Sequence, residues 1–190
     1  MSEQDFIRAL QNGDQLAFKQ LVESWQNMVF NTVLSIVQDR QEAEDLSQEV
    51  FIQIYQSVKD FRGEAKLSTW MYRVALTKAL DAERKKKTKK RMANLRSWIG
   101  LGEKEENLAH FHHPGVALDN KERAALLFRT MQQLPENQRI AFTLIKAEGL
   151  SYEETATIMN LSIKAVEALM HRAKENLRQK LKHYYTPINK

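Results

Sequence analysis

The sequence contains no cysteine, which excludes a disulfide framework, a thiol nucleophile and the usual cysteine zinc sites. The fold must therefore stand on packing. Only three prolines and six glycines punctuate 190 residues, so their positions are informative. Gly100, Gly102, Pro114 and Gly115 cluster in one stretch and mark a linker. Nowhere do 18 apolar residues run together, and the first ten residues carry Glu3 and Asp5 without an apolar core. Neither a membrane insertion nor a secretory leader is expected, and the location expected is cytoplasmic. Chemical constellations are missing as well: no glycine-rich phosphate loop, no Ser/His/Asp set at recognisable spacing, no carboxylates paired for acid–base work. The reading is of a protein that is not an enzyme and needs no cofactor. His110, His112 and His113 stand close together, but with no second ligand cluster they do not predict a metal site.

What is present is charge, unevenly spread. Residues 1 to 60 hold four Lys/Arg against ten Asp/Glu, whereas residues 61 to 96 hold twelve against three. An acidic front beside a basic segment suggests two partners of opposite kind, one of them a polyanion. The plainer alternative is a solvated surface with uneven charge.

Apolar residues recur at helical spacing throughout. Phe18, Leu21, Val22, Trp25, Val29, Val33, Ile36 and Val37 form one stripe, and Ala43, Leu46, Val50, Phe51, Ile54, Tyr55 and Val58 a second. Leu67, Trp70, Met71, Val74, Ala75 and Leu80 form a third. After residues 96 to 118, where no period survives, Ala124, Leu127, Phe128, Met131 and Leu134 resume the pattern. No strand-like alternation persists. The fold class is accordingly all-α: two small helical domains, residues 1 to 95 and 119 to 190, joined by a flexible linker at 96 to 118.

The sharpest local signal lies between Gly149 and Lys174. Gly149 suits a left-handed helix end, and Ser151 with Glu154 forms a capping box that opens a short helix ending near Met159. Asn160 and Leu161 make a turn, Ser162 caps the next helix, and Val166, Leu169, Met170 and Ala173 give that helix one buried face. Lys164, Glu167, Ala168, His171, Arg172 and Lys174 occupy the opposite face. This pattern predicts a helix-turn-helix whose second helix enters a major groove, against the alternative of a helical hairpin with a solvated face.

Leu134-Pro135-Glu136, Gln138-Arg139 and Ala141-Phe142, followed by Glu148 to Glu154, resemble region four of the extracytoplasmic-function sigma factors of bacterial RNA polymerase. So do Ala165-Val166-Glu167 and Arg172-Ala173-Lys174. Independently, Ala43-Glu44-Asp45-Leu46 with Gln48-Glu49-Val50-Phe51 resembles the region-two helix of the same family, and Phe61 to Ala75 resembles its promoter-melting segment. The matches fall in the family's order and cover nearly the whole chain.

The resemblance implies a division of labour. Asp45, Gln48, Glu49 and Gln53 would dock on the clamp helices of the polymerase largest subunit, with acceptors facing arginines of that coiled coil. The loop Phe61, Arg62, Gly63 to Lys66 would capture a flipped base of the minus-ten element, with Trp70, Tyr72, Arg73, Thr77 and Lys78 beside it. Trp70, at spacing four from Val74, reads equally as core. Arg84, Lys85 and the basic residues up to Arg91 would neutralise phosphates, or else form a disordered basic tether. Region four would bind the flap of the second-largest subunit, and would bind the minus-thirty-five element through Ser162, Lys164, Ala165, Glu167, Ala168, His171, Arg172 and Lys174. Family likeness further implies an anti-sigma factor partner and a stress or envelope-signal regulon. Three departures bear on preference: Thr77 where many members carry asparagine, Glu167 where many carry a basic residue, and Ala168-Leu169 in place of Ser-Arg. Thr155 replaces a usual isoleucine on a largely buried face.

Overall fold

The computed structural model describes residues 2–98 and 126–185, and among these all regular structure is helical. The chain separates into two compact units, Met1–Phe111 and His112–Lys190, with the division outside the described residues. His110, His112, His113 and most of the expected linker also lie outside them. The first unit holds α1 (Glu3–Gln11), α2 (Gln15–Val37), α3 (Arg40–Ser57), a 3-10 turn (Val58–Asp60) and α4 (Leu67–Trp98).

Short caps set where these helices begin. Ser2 and Asp5 form a capping box on α1, and the serine hydrogen bonds hold the Asp5 carboxyl below the ordinary carboxylate range. Gly13, at φ +77°, takes a left-handed turn that few other residues adopt cheaply, and Asp14 then accepts from the Leu16 and Ala17 amides to open α2. At the far end Gln38 is left-handed and Asp39 caps α3 through the Glu42 amide at 2.8 Å. A connection this short folds α3 back along α2.

Leu21, Val29, Val33 and Ile36 from α2, Val50 and Ile54 from α3, and Met71, Ala75 and Ala79 from α4 close the core between the three long helices. The α4 stripe is rotated from the one its spacing predicts. Tyr72 and Leu76 are buried beside Met71 and Ala75, whereas Trp70, Val74 and Leu80 are only half-buried. Apolar residues at 70, 71, 72, 74, 75 and 76 satisfy two helical faces equally, and packing against α2 and α3 chooses between them. Tyr72 is corrected on this ground: 4 % exposed, its ring offers no surface for a base.

The second unit holds helical residues 126–132 (α5), α6 (Glu136–Phe142) running into a π-helical stretch (Thr143–Ala147), α7 (Tyr152–Met159) and α8 (Ile163–Tyr185). Ile140, Leu144, Val166, Met170 and Ala173 are almost wholly buried. Arg139 is buried too, and donates to the carbonyls of Gln132 and Leu134 at 3.3 and 3.2 Å, meeting acceptors left over where α5 ends. Gln138 accepts from Asn176 at 2.8 Å and ties α6 to α8.

Thr155 is fully buried and its hydroxyl has no hydrogen-bond partner among the described residues. An unpaired buried hydroxyl costs about 1–3 kcal/mol. Thr155→Val keeps the shape and removes that group, so it is expected to stabilise this unit by about 1 kcal/mol. Chemical denaturation followed by a probe in the second unit checks this, and an unchanged or lowered midpoint would contradict it.

Candidate nucleic-acid interface and docking face

The loop between the 3-10 turn and α4 is anchored from below. Gln11 of α1 donates to the carbonyls of Phe61 and Val58 at 2.9 and 3.4 Å, and the Leu67 amide donates to Glu3 at 3.4 Å. Gly63 is left-handed at φ +72°, and a Cβ there would meet open space, so backbone conformation rather than crowding calls for glycine. Arg62, Gly63, Glu64 and Lys66 are exposed. Phe61 and Trp70 are half-buried against each other, with ring centroids 5.1 Å apart, which makes an aromatic ledge where the loop meets α4. Trp70 is thus neither core nor free surface.

From that ledge Arg73, Thr77 and Arg84 follow along one side of α4 at helical spacings, all exposed. Lys78 departs from this strip: its ammonium pairs with Glu49 of α3 at 2.8 Å. Between Leu80 and Ala93 no residue of α4 is buried, and residues 84–93 are exposed throughout. They are nevertheless helical, which corrects the alternative of an unstructured basic tether; α4 also runs three residues past the expected domain end at 95. Arg84 pairs with Asp81 at 3.4 Å, and Lys86 reaches Glu42 of α3 at 2.6 Å. The Glu42 hydrogen bond raises the Lys86 pKa above the ordinary lysine value. Stability from this pair is therefore present below the unfolded lysine value and is lost only as pH rises through the raised one, so it does not vary near neutrality.

The solvent side of α3 carries Asp45, Gln48, Glu49 and Gln53, all exposed, with Glu49 at its edge toward α4. In their midst stands Ile52, 56 % exposed, a residue the sequence reading passed over. The signal was available: an isoleucine three positions after Glu49 and four after Gln48, off the apolar stripe. Tyr55, expected inside, is 44 % exposed and packs edge-on to Phe18 at 4.9 Å. Alongside runs an open groove between α2 and α3, with Val22, Phe30 and Phe51 in its lining and Arg40, Glu44 and Gln48 at polar positions. Arg40 sits over the Phe30 ring at 5.8 Å and holds Glu44 at 2.9 Å. Acceptors ringing an exposed aliphatic group suit a partner helix better than a nucleic acid.

In the second unit the expected helix-turn-helix is present. Gly149 has φ +71°, Ser151 and Glu154 make the capping box, and Asn160 ends α7 left-handed at φ +54°. Ser162 accepts from the Ala165 amide at 3.2 Å and starts α8. Lys164, Glu167, His171 and Lys174 succeed one another along the exposed side, with Ala165, Ala168 and Arg172 in the adjacent row; Arg172 is exposed and the two alanines are half-buried. Val166, Met170, Ala173 and Leu177 are buried opposite, and Leu169 is half-buried rather than buried. Leu161 and Ile163, at 40 and 42 % exposed, add apolar surface at the start of α8 that the sequence reading did not single out. No group of acidic, histidine or cysteine side chains suited to a metal occurs among the described residues.

Two helical units, one carrying an exposed basic helix and the other a helix-turn-helix, have the surfaces of a nucleic-acid-binding protein, and comparison with known proteins names the family. Residues 21–89 match the family model Sigma-70 region 2, and residues 124–177 match Sigma-70, region 4. The chain is 33% identical over 174 residues to the RNA polymerase sigma-H factor of Pseudomonas aeruginosa, covering 91% of this chain and 90% of that protein. It is 32% identical over 184 residues to the ECF RNA polymerase sigma-E factor of Escherichia coli K12, covering 95% of each. Among solved structures it resembles CnrH, in complex with the cytosolic domain of CnrY, with TM-score 0.69, 21% identity and coverage of 95 and 97% of the two chains. It also resembles the sigma factor RpoE from Bartonella quintana, in complex with the anti-sigma factor NepR, with TM-score 0.64, 22% identity and coverage of 91 and 98%. These two likenesses concern the fold. The chain belongs to the sigma-70 family, among its extracytoplasmic-function sigma factors. Sigma factor activity, the direction of promoter-specific transcription initiation, follows from that membership, and the family is one of transcription regulators.

Proposed function

We propose that the two units divide the work of initiation between them. The α3 face of Asp45, Gln48, Glu49, Ile52 and Gln53 docks on the clamp helices of the polymerase largest subunit. The loop Phe61–Lys66, the Phe61–Trp70 ledge and the Arg73–Thr77 side of α4 take the minus-ten element, with Arg84, Lys85 and the rest of the basic helix on phosphates. The α8 face from Ser162 to Lys174 takes the minus-thirty-five element, and its unit engages the flap of the second-largest subunit. RNA synthesis stays in the polymerase, and this chain contributes no catalysis of its own. No helix among the described residues is long and apolar enough to cross a membrane. We place the protein in the cytoplasm, held by an anti-sigma factor until a stress or envelope signal releases it.

The observation that carries this reading is one unit presenting two chemically opposite surfaces. An acidic and aliphatic α3 face and an aromatic and basic α4 side share a single small core. A stand-alone operator-binding regulator has no use for the first. The test is pull-down of core polymerase followed by run-off transcription on a random promoter library. Co-purification with core and core-dependent transcripts are expected, whereas DNA binding that needs no polymerase, with no retained core, would favour the regulator.

Ile52 sharpens the docking claim. Fully burying an isoleucine contributes about 1.5–3 kcal/mol, and Ile52 has a little over half of its surface left to cover. Ile52→Ala is therefore expected to weaken core binding by about 1 kcal/mol with little loss of stability, because more than half of the residue is in solvent in the free chain. Titration of labelled core checks this, and equal affinities for the two proteins would remove Ile52 from the interface.

A further inference from the structure

The two proposed surfaces are joined by an ion pair. Glu49 belongs to the docking face of α3, and Lys78 is the α4 residue next to Thr77. Their charged atoms lie 2.8 Å apart, with Lys78 the less exposed partner. A second pair, Glu42 with Lys86, lies farther along. Moving seven residues along α3 corresponds to moving eight back along α4, so the helices run antiparallel with an acidic edge laid against a basic one. For a lysine, a carboxylate at this distance is chemically a stand-in for a phosphate oxygen.

We propose that the Glu49–Lys78 pair is an intramolecular brake on DNA binding that docking of polymerase releases. It rests on the assignment of α3 to polymerase and α4 to DNA made above. A carboxylate drawn to an arginine fork of a partner helix divides its charge and loosens its hold on Lys78, whose ammonium then turns to the nearest phosphates. Linkage makes the effect reciprocal: DNA on Lys78 leaves Glu49 freer for polymerase. Exposed pairs are weak, so the brake is mild, of the order of a two- to fivefold change in affinity. A mild brake on each free molecule still favours DNA engagement by the assembled complex over engagement by the chain alone.

The test uses the full chain, purified core polymerase and a fluorescein-labelled duplex of about 25 base pairs with a single-stranded extension and random sequence, since phosphate contacts do not depend on sequence. Anisotropy is read at about 50 and 200 mM salt. Without polymerase, Glu49→Gln is expected to bind this DNA about two- to fivefold tighter, with a log–log salt slope steeper by about 0.9 for one additional phosphate contact. Asp45→Asn removes the same charge one turn away, from a residue in no ion pair among the described residues, and calibrates the general electrostatic gain; its gain should be smaller and its slope unaltered. Lys78→Ala should barely alter the free chain, should abolish the Glu49→Gln gain in the double variant, and should weaken DNA binding in full once core is saturating. A Glu49→Gln gain no larger than that of Asp45→Asn, or one that survives Lys78→Ala, overturns the brake. If in that case the chain still retains core and supports run-off transcription, the functional assignment stands and only the brake falls. A chain that does not bind core at all loses both.

Discussion

Reversing the charge of Asp45 and Glu49 together, as D45K with E49K, is expected to weaken binding to core polymerase by about 2 kcal/mol or more, roughly thirtyfold at physiological salt. Both side chains are exposed and lie on one side of α3; in the docking proposed above, each reversal replaces an acceptor with a cation set against arginines of the clamp. Neither residue supports the core, and the helical signal and thermal midpoint should stay close to the parent's. Because E49K also sets two cations together where Glu49 now holds Lys78, D45K alone belongs in the same titration. It should account for a substantial part of the loss. An affinity that does not move in the double variant would mean that this face is merely solvated.

The second large effect concerns promoter choice. Arg172 is exposed in the row of α8 beside Glu167 and His171, within reach of a groove if Ser162 leads the helix in. Arg172→Ala is expected to cost about 1–3 kcal/mol in binding to minus-thirty-five DNA. Preference at one position relaxes if the guanidinium pairs with guanine, whereas all sequences weaken alike if it holds a phosphate. Glu167 accepts only, and a cytosine amino group is the base partner it suits. Glu167→Lys should therefore change which promoters are selected rather than tighten binding everywhere. Selection from a random promoter pool decides the matter: identical preferred sequences for parent and variant would leave Glu167 with a surface role, such as pairing with His171 or Lys164 at spacings of four and three.

The helix-turn-helix was legible residue by residue because its determinants are local. A left-handed Gly149, the Ser151–Glu154 box and the Ser162 cap each involve residues at most three positions apart, and each appears in the fold as the sequence predicts. Asn160 was read as a turn residue for the same reason. Exposure of Asp45, Gln48, Glu49 and Gln53 was equally legible, since four polar residues at helical spacing opposite an apolar stripe have one sensible orientation.

Where apolar residues were plentiful the sequence underdetermined the outcome. Tyr72 and Trp70 lie two positions apart in a helix apolar on two sides, and only the surfaces of α2 and α3 bury the tyrosine and leave the tryptophan against Phe61. Ile52 and Tyr55 are both exposed although only Tyr55 falls on the apolar period, because period alone does not say how wide a strip the neighbouring helices cover. The basic run to Arg91 carries no packing signal of its own, yet continues as helix from the anchored turns before it, where each further residue adds a hydrogen bond without a new nucleus.

The class of fold, the helix-turn-helix with its caps, and the family are all legible in the chain alone, because they depend on short-range spacing and side-chain type. Tertiary structure decided which side of α4 is core, that Ile52 stands clear of it, that Arg139 is a buried tie to the end of α5, and that Glu49 and Lys78 meet. Glu49 and Lys78 are 29 positions apart, and nothing in either segment records the register in which α3 and α4 lie together. That register is set by packing of the buried faces of the two helices, which include Val50 and Ile54 on α3 and Met71, Ala75 and Ala79 on α4, a volume-filling constraint that exists only once the helices are packed.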